Sequence, residues 1–333
     1  MFSARITGYG KYLPERIMTN FDLEKIVDTS DEWITTRTGI KERRIAAENE
    51  TSTELGTYAA QKALDNANLK PDDIDLVICA TNSPAQLFPA TAGLIHKGLK
   101  LPVSAGGFDL QSGCTGFVYG LEIASDMIKF GRMKNIIVVG VDTCSKITNW
   151  EDRDSCVLFG DGAGAIVLSK SNEENCGVLS SCLGLDSNYS DDITLAGGIA
   201  SKSNVIKQTI KDSAIEGWHF IKLNGQRVFK FAVRYFQETV NRVLNESKIS
   251  IKDIDFIIPH QANIRIIEAA AKVLKYPIEK FFINIQKYGN TSAATIPISL
   301  EECYTQGLIK KGDLILTVAF GAGASYGANL IKV

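Results

Sequence analysis

The segment 63–78, ALDNANLKPDDIDLVI, recurs 180 positions later as 243–258, VLNESKISIKDIDFII, with no gap between the copies. Leu64, Asp73, Ile74, Asp75 and Ile78 match Leu244, Asp253, Ile254, Asp255 and Ile258. Each copy reads as the end of a helix, a turn and then a strand buried on both faces. Five identities in an apolar-rich stretch carry limited weight alone, but the shared order of elements points to an ancient duplication. The ends of the two units also agree, Gly164-Ala165-Ile166-Val167-Leu168 resembling Gly327-Ala328-Asn329-Leu330-Ile331. Between them, 169–177 is polar and rich in Asn and Glu. The chain is therefore expected to divide into an N-terminal half, 1–175, and a C-terminal half, 176–333.

Apolar runs at 75–80, 136–141, 165–168, 255–259 and 314–320 alternate with helical patterns such as 53–67 and 228–244. In the second helix Val228, Phe231, Ala232 and Tyr235 share a face. Runs apolar on both faces, separated by helices, predict an α/β fold with mostly parallel sheet. The stretch 186–216 has weak periodicity and is expected to be a long insertion, of the kind that often forms a functional wall.

Charge narrows the possible partners. A net charge of -2 over 333 residues argues against a general nucleic-acid binder, which needs clustered basic residues to neutralise phosphates, and leaves room only for a local basic patch. No run approaches the roughly 20 apolar residues of a membrane helix, and the first residues lack the apolar centre of a signal peptide. A cytoplasmic protein, bound neither to membrane nor to nucleic acid, is expected. The seven cysteines are odd in number and irregularly spaced, with no C-x-x-C pair and no zinc spacing. Most read as small buried hydrophobes, as Cys79 does inside an apolar run.

Cys114 differs. In Phe108-Asp109-Leu110-Gln111-Ser112-Gly113-Cys114-Thr115-Gly116-Phe117 a short strand ends, small residues turn the chain, and Cys114 opens a helical pattern running to Phe130 and stopped by Gly131. A cysteine at a helix N-terminus meets the positive end of the dipole, which lowers its pKa from about 8.5 toward neutrality. A packed cysteine in a glycine-rich turn is the bland alternative. Of three histidines, His96 lies in a Lys/Gly-rich stretch and His219 in the expected insertion, whereas His260 follows the duplicated strand. Strand ends of this kind gather active sites in α/β sheets. Asn290, in Gly289-Asn290-Thr291, reads alone as a turn former. The repeat changes that reading. Cys114 lies 36 residues after Ile78 and Asn290 lies 32 after Ile258, so a pseudo-twofold axis would bring the two together. Cysteine can hold an acyl group as a thioester, while a neutral His and an Asn amide can stabilise an enolate oxygen. Claisen condensation requires that combination.

Gly-Cys-Thr-Gly-Phe, Pro-His-Gln-Ala-Asn and Gly-Asn-Thr-Ser-Ala, in this order, resemble the β-ketoacyl-acyl carrier protein synthase III family of the thiolase superfamily. DTSDEWITTRTGIKERR at 28–44, FGDGAG at 159–164 and FGAGASYG at 320–327 extend the resemblance nearly end to end. It implies a thiolase-like five-layered αβαβα sandwich of two duplicated halves, assembled as a homodimer and using no metal or redox cofactor. It implies that an acyl-CoA primer acylates Cys114, and that malonyl-acyl carrier protein then loses carbon dioxide with His260 and Asn290 holding its thioester oxygen. The backbone N–H groups of Cys114 and Ala322 would form the oxyanion hole. The resemblance further assigns Trp33, Arg37, Arg153, Gly225, Ala262 and Asn263 to CoA and its pantetheine arm. It assigns Lys230, Gln261 and Arg265 to carrier-protein docking, and Phe88 to the partner's acyl pocket across the dimer.

Three positions depart from the family pattern. Gly113 and Thr115 flank the nucleophile where the family usually has alanines, and Ala322 adds a methyl group where a glycine is usual. These departures leave open a specialised relative that uses a different acyl donor or acceptor. A Cys-His-Asn hydrolase is the alternative from another class.

Overall fold

The structure is a computed structural model, and it describes residues 2–195 and 220–333. Nine strands run in the order Phe256–Pro259, Leu314–Gly321, Ser325–Lys332, Gly177–Leu185, Ser3–Tyr12, Asp161–Ser171, Asn135–Thr143, Leu76–Ala80 and Gly106–Leu110. The halves meet within this order at one residue pair, Ala4 with Gly177. The strands thus form two sheets, and their orders correspond: Leu76–Ala80 to Phe256–Pro259, Asn135–Thr143 to Leu314–Gly321, Asp161–Ser171 to Ser325–Lys332, and Ser3–Tyr12 to Gly177–Leu185. The place of Gly106–Leu110 is taken in the second half by a single parallel bridge between Ile257 and Phe281.

Five layers result. Helix Gly116–Lys129 packs on strands of both sheets, as does helix Thr295–Thr305, and together they form the middle layer. Ser52–Ala67 covers the outer face of the first sheet and Gly225–Ser247 that of the second. Periodicity explains these positions. Phe117, Val118, Leu121, Ala124 and Ile128 are buried on the middle helix, and Phe231, Tyr235, Phe236, Val240 and Val243 on the outer one. Each Phe, Leu, Ile or Val among them contributes roughly 1.5–3 kcal/mol on leaving water.

The duplication reaches hydrogen-bond detail. Both helices of the repeat end on a left-handed residue, Asn68 at φ 54° and Lys248 at φ 57°. Asp73 then accepts from Lys70 N–H at 2.8 Å, and Asp253 from Ser250 N–H at 3.1 Å. One residue into each strand approach, Asp75 receives Asn135 N–H at 3.0 Å and Asp255 receives Leu314 N–H at 2.9 Å. The repeated Asp-Ile-Asp is thus the joint that ties the helix-to-strand turn to the neighbouring strand.

One expectation is corrected. The sheets are mixed rather than mostly parallel, because Asn135–Thr143 pairs antiparallel with Asp161–Ser171, and Leu314–Gly321 with Ser325–Lys332. The intervening segments hold only one-turn helices, too short to cross a sheet face and return parallel. Strands Ser3–Tyr12 and Gly177–Leu185 have no counterpart among the expected apolar runs, since Gly8, Gly10 and Gly184 break their patterns. Of the expected insertion, residues 186–195 are described and the remainder, with His219, lies outside the described residues. Ile193–Thr194 pairs with Lys222–Leu223 as a two-stranded ribbon.

Candidate active site

Cys114 sits in the turn between edge strand Gly106–Leu110 and helix Gly116–Lys129. Gly113 takes φ 54° there, a conformation that favours glycine. Ser112 C=O accepts from Thr115 N–H at 3.2 Å and from Thr115 Oγ1 at 2.6 Å. The Thr115 hydroxyl thus closes the Cys114 turn on itself. Ser325 Oγ donates to the same carbonyl at 3.1 Å, joining this turn to the second half.

The end of strand Leu314–Gly321 lies against the turn. A Cβ on Gly321 would fall 2.5 Å from Cys114 N, and one on Gly113 would fall 2.7 Å from Ala322 N. The two backbone N–H groups expected in an oxyanion hole are thus brought to one place. The methyl group of Ala322 lies 3.2 Å from where a Cβ on Gly113 would stand.

His260 follows strand Phe256–Pro259, its N–H donating to Val318 C=O at 2.7 Å. It is 1% exposed, and its ring meets Phe320 edge-on at 5.3 Å. Burial depresses its pKa to about 3, so the imidazole is neutral near pH 7. Nδ1 has no hydrogen-bond partner among the described residues. Asn290 is held by its own backbone, donating to Leu158 C=O at 2.9 Å and accepting from Gly160 N–H at 3.0 Å. Its Oδ1 accepts from Ser292 N–H at 2.8 Å, which leaves the Nδ2 group free to donate to another acceptor.

Cys114, His260 and Asn290 line one cavity of about 120 Å³ together with Phe159, Phe320 and Gly321. Leu158, Leu223, Gly225, Phe229 and Asn263 belong both to this cavity and to an outer cleft of about 820 Å³. The cleft therefore narrows into the chamber that holds the three polar groups. Ala262 lines the chamber; Trp33, Arg37, Lys230 and Arg265 line the cleft. Arg37 and Arg153 both lie over the Trp33 ring, at 5.9 and 4.9 Å. Lys230 and Arg265 are exposed and form no ion pair among the described residues. Asn263 caps helix Ile264–Leu274 by accepting from Arg265 N–H at 2.9 Å.

Two expectations change. Gln261 is 1% exposed, its amide donating to Pro259 C=O and Phe282 C=O and accepting from Asn284 N–H. It braces the His260 strand from inside and offers nothing to a docking surface. The Cys114 thiol is not lowered toward neutrality. The residue as a whole is half-buried, yet its thiol is enclosed, and desolvation pushes it up to about 12 against a hydrogen bond with Ser292 and alongside the Asp142 charge. The helix dipole favours the thiolate here but does not outweigh removal from water. Phe88 is 82% exposed and lines neither cavity of this single chain.

The sequence reading did not single out Ser292, Asn82 and Asp142. Ser292 Oγ lies 3.4 Å from Cys114 Sγ, and Asn82 Nδ2 lies 3.1 Å from Ser292 Oγ. Asp142, fully buried at the end of an apolar strand, receives donors from Thr81, Asn82, Ser83 and Ala293. A polar residue closing an apolar run was the signal available for Asp142; Asn82 carried none.

Comparison with known proteins agrees with this architecture. Residues 108–187 match the family described as 3-oxoacyl-[acyl-carrier-protein (ACP)] synthase III, and residues 244–333 match its C-terminal part. The chain is 50% identical to β-ketoacyl-[acyl-carrier-protein] synthase III of Caldanaerobacter subterraneus subsp. tengcongensis, over 99% of this chain and 98% of that one. It is 46% identical to the protein of the same name from Clostridium acetobutylicum, covering 100% and 99%. The crystal structure of 3-oxoacyl-[acyl-carrier-protein] synthase III from Aquifex aeolicus superposes with a TM-score of 0.89 at 45% identity, covering 99% and 100%. A priming β-ketosynthase of the R1128 polyketide pathway superposes at 0.90 with 30% identity, covering 99% and 96%.

Proposed function

The chain belongs to the 3-oxoacyl-[acyl-carrier-protein] synthase III family, and on that premise we propose that it condenses an acyl-CoA primer with malonyl-acyl carrier protein through an acyl group carried on Cys114. The observation that carries this reading is the convergence of Cys114, His260 and Asn290 on one narrow chamber at the end of a cleft. In the first step Cys114 sulfur attacks the thioester carbonyl. The N–H groups of Cys114 and Ala322 hold the developing oxyanion, and CoA leaves as its thiol, taking the proton that the cysteine gives up. In the second step the bond from the malonyl carbon to its carboxylate breaks, and the electron pair enters an enolate. Its oxygen takes hydrogen bonds from Asn290 Nδ2 and the neutral His260 ring. The enolate carbon then attacks the acyl-Cys114 carbonyl, cysteine leaves as thiolate, and a 3-oxoacyl chain remains on the carrier.

Neutral histidine suits this role. A buried imidazolium would add a net charge in the chamber, whereas the neutral ring supplies one N–H donor without it. The enclosed chamber suits condensation over hydrolysis, because water reaching acyl-Cys114 would release the acyl group.

The cleft supports the choice of substrates. Trp33 offers a face to an adenine ring, Arg37 and Arg153 offer cations to phosphates, and Gly225, Ala262 and Asn263 flank the path of the pantetheine arm. Exposed Lys230 and Arg265 at the cleft give an acidic carrier protein its counter-charges. A homodimer is supported by the open edge of strand Gly106–Leu110 and by exposed Leu87, Phe88 and Val103; Phe88 would then reach the partner's acyl pocket. The free cysteines fit a reducing cytoplasm, and among the described residues no helix is long and apolar enough to cross a membrane.

The direct assay supplies a panel of short straight and branched acyl-CoA primers with malonyl-carrier protein and reads the carrier by mass. A 3-oxoacyl-carrier product with release of carbon dioxide is expected. Failure with every primer, or turnover only with a different acceptor, would favour the specialised relative instead.

A further inference from the structure

We propose that Asn82 and Ser292 form a relay that aims a hydroxyl proton at the Cys114 sulfur, Ser292 touching the reacting atom and Asn82 acting through it as a positioning residue. The inference rests on Cys114 being the nucleophile of the reaction above.

The direction of each bond follows from what the groups can donate. Asn82 Nδ2 faces Gly113 C=O at 3.1 Å, Asp142 Oδ2 at 3.0 Å and Ser292 Oγ at 3.1 Å. A carbonyl and a carboxylate accept only, so the NH₂ end of the amide must point this way. Asp142 is itself immobilised by Thr81, Ser83, the Asn82 N–H and Ala293 N–H, the last from the second half of the chain. The two amide hydrogens serve three acceptors, so Ser292 Oγ shares one of them, and a hydroxyl that accepts from Asn82 turns its own proton toward sulfur, that of Cys114 lying 3.4 Å away.

The backbone agrees. Ser292 stands at φ 52°, in the left-handed region that non-glycine residues avoid. Its N–H is fixed by Asn290 Oδ1 at 2.8 Å, and the next N–H, of Ala293, by Asp142 Oδ2 at 3.1 Å. Strain held in place by its surroundings at a reacting atom is a mark of function. The first of these bonds ties the Ser292 backbone to the Asn290 side chain, so the groups for acylation and for enolate stabilisation share one support. A donor aimed at sulfur favours thiolate over thiol, which matters because desolvation works the other way at this cysteine. Titratable groups around it are Asp142 at the end of strand Asn135–Thr143, Cys144 immediately after it, and His260 across the chamber. Cys144 lies within reach of the same hydroxyl.

The test is the pH dependence of Cys114 alkylation by iodoacetamide, located by peptide mass, in the full-length protein. Ser292→Gly removes the hydroxyl while suiting the left-handed backbone, so its fold, checked by thermal melting, is retained. At a fixed pH near 8, below the midpoint, its alkylation should be roughly tenfold slower, as a shift of about one pH unit implies. Asn82→Ala should slow it the same way by less, and the double variant no further than Ser292→Gly alone. A folded Ser292→Gly protein with the wild-type profile would overturn the proposal. So would additive shifts in the double variant, which would remove Asn82 from the relay. Acetylation of wild-type Cys114 by acetyl-CoA reads the nucleophile assignment separately, because alkylation does not depend on it.

Discussion

Gly113 and Ala322 meet in close contact across the active site: a Cβ on Gly113 would stand 2.7 Å from the Ala322 nitrogen and 3.2 Å from its Cβ. The bare Gly113 beside Cys114 makes room for the Ala322 backbone and, less tightly, for its methyl group. Gly113→Ala should cost about 2–3 kcal/mol, part from the left-handed φ and part from overpacking. Adding Ala322→Gly should restore only the smaller share that comes from the 3.2 Å methyl contact, because the 2.7 Å approach to the Ala322 nitrogen remains. Thermal melting of the single and double variants checks this, and equal melting of Gly113→Ala and wild type would refute the close contact.

Titration of His260 should appear in stability before it appears in chemistry. Its pKa is about 3 in the folded protein against an ordinary 6.5. As pH falls below 6.5 the unfolded chain binds the proton first, so stability is lost on acidification and is fully present above that value. Between pH 7 and 5 the wild type should lose roughly 2 kcal/mol more than His260→Gln does. Urea unfolding at the two pH values measures the difference; equal losses would show a charged or exposed histidine.

Removing the enolate donors should separate the two half-reactions. Asn290→Ala or His260→Ala should lower malonyl decarboxylation by about 10²–10³-fold. Acyl transfer from CoA to Cys114 should survive in both. Quenched-flow measurement of carbon dioxide release, beside acyl loading read by mass, distinguishes this from a histidine that serves the cysteine instead.

Substrate binding should divide along the cleft. Trp33→Ala should raise KM for acyl-CoA about tenfold, a value in the range of base-on-aromatic stacking, with little change in KM for the malonyl-carrier. Lys230→Glu with Arg265→Glu should do the reverse, and added salt should weaken the wild type toward the variant. Steady-state kinetics with each substrate varied in turn read both.

How much of this was legible in the sequence depended on whether a residue's role lay in a local pattern. The repeated Asp-Ile-Asp announced both helix-to-strand joints, and the small residues around Cys114 announced the turn that presents it. His260 was marked by its place after the duplicated strand. What the sequence concealed was set by contacts between distant segments. Gln261 lies in a motif beside His260, and only the packing of Phe282 and Asn284 around it shows that its amide faces inward. The direction of the Cys114 shift turned on enclosure, which local sequence does not carry. Asn82 and Ser292 are 210 positions apart and acquire their relation only when the halves close. Strand Ser3–Tyr12 escaped notice because its glycines hide an alternation that the sheet supplies through Asp161–Ser171.

The central claim is that Cys114 carries the acyl group, and mass analysis of the protein after incubation with short acyl-CoA substrates tests it most directly. One acyl group should appear on the peptide containing Cys114, should be absent in Cys114→Ser, and should disappear from wild type on addition of malonyl-carrier protein. A protein left unmodified by every primer, or acylated at another residue, would contradict the account.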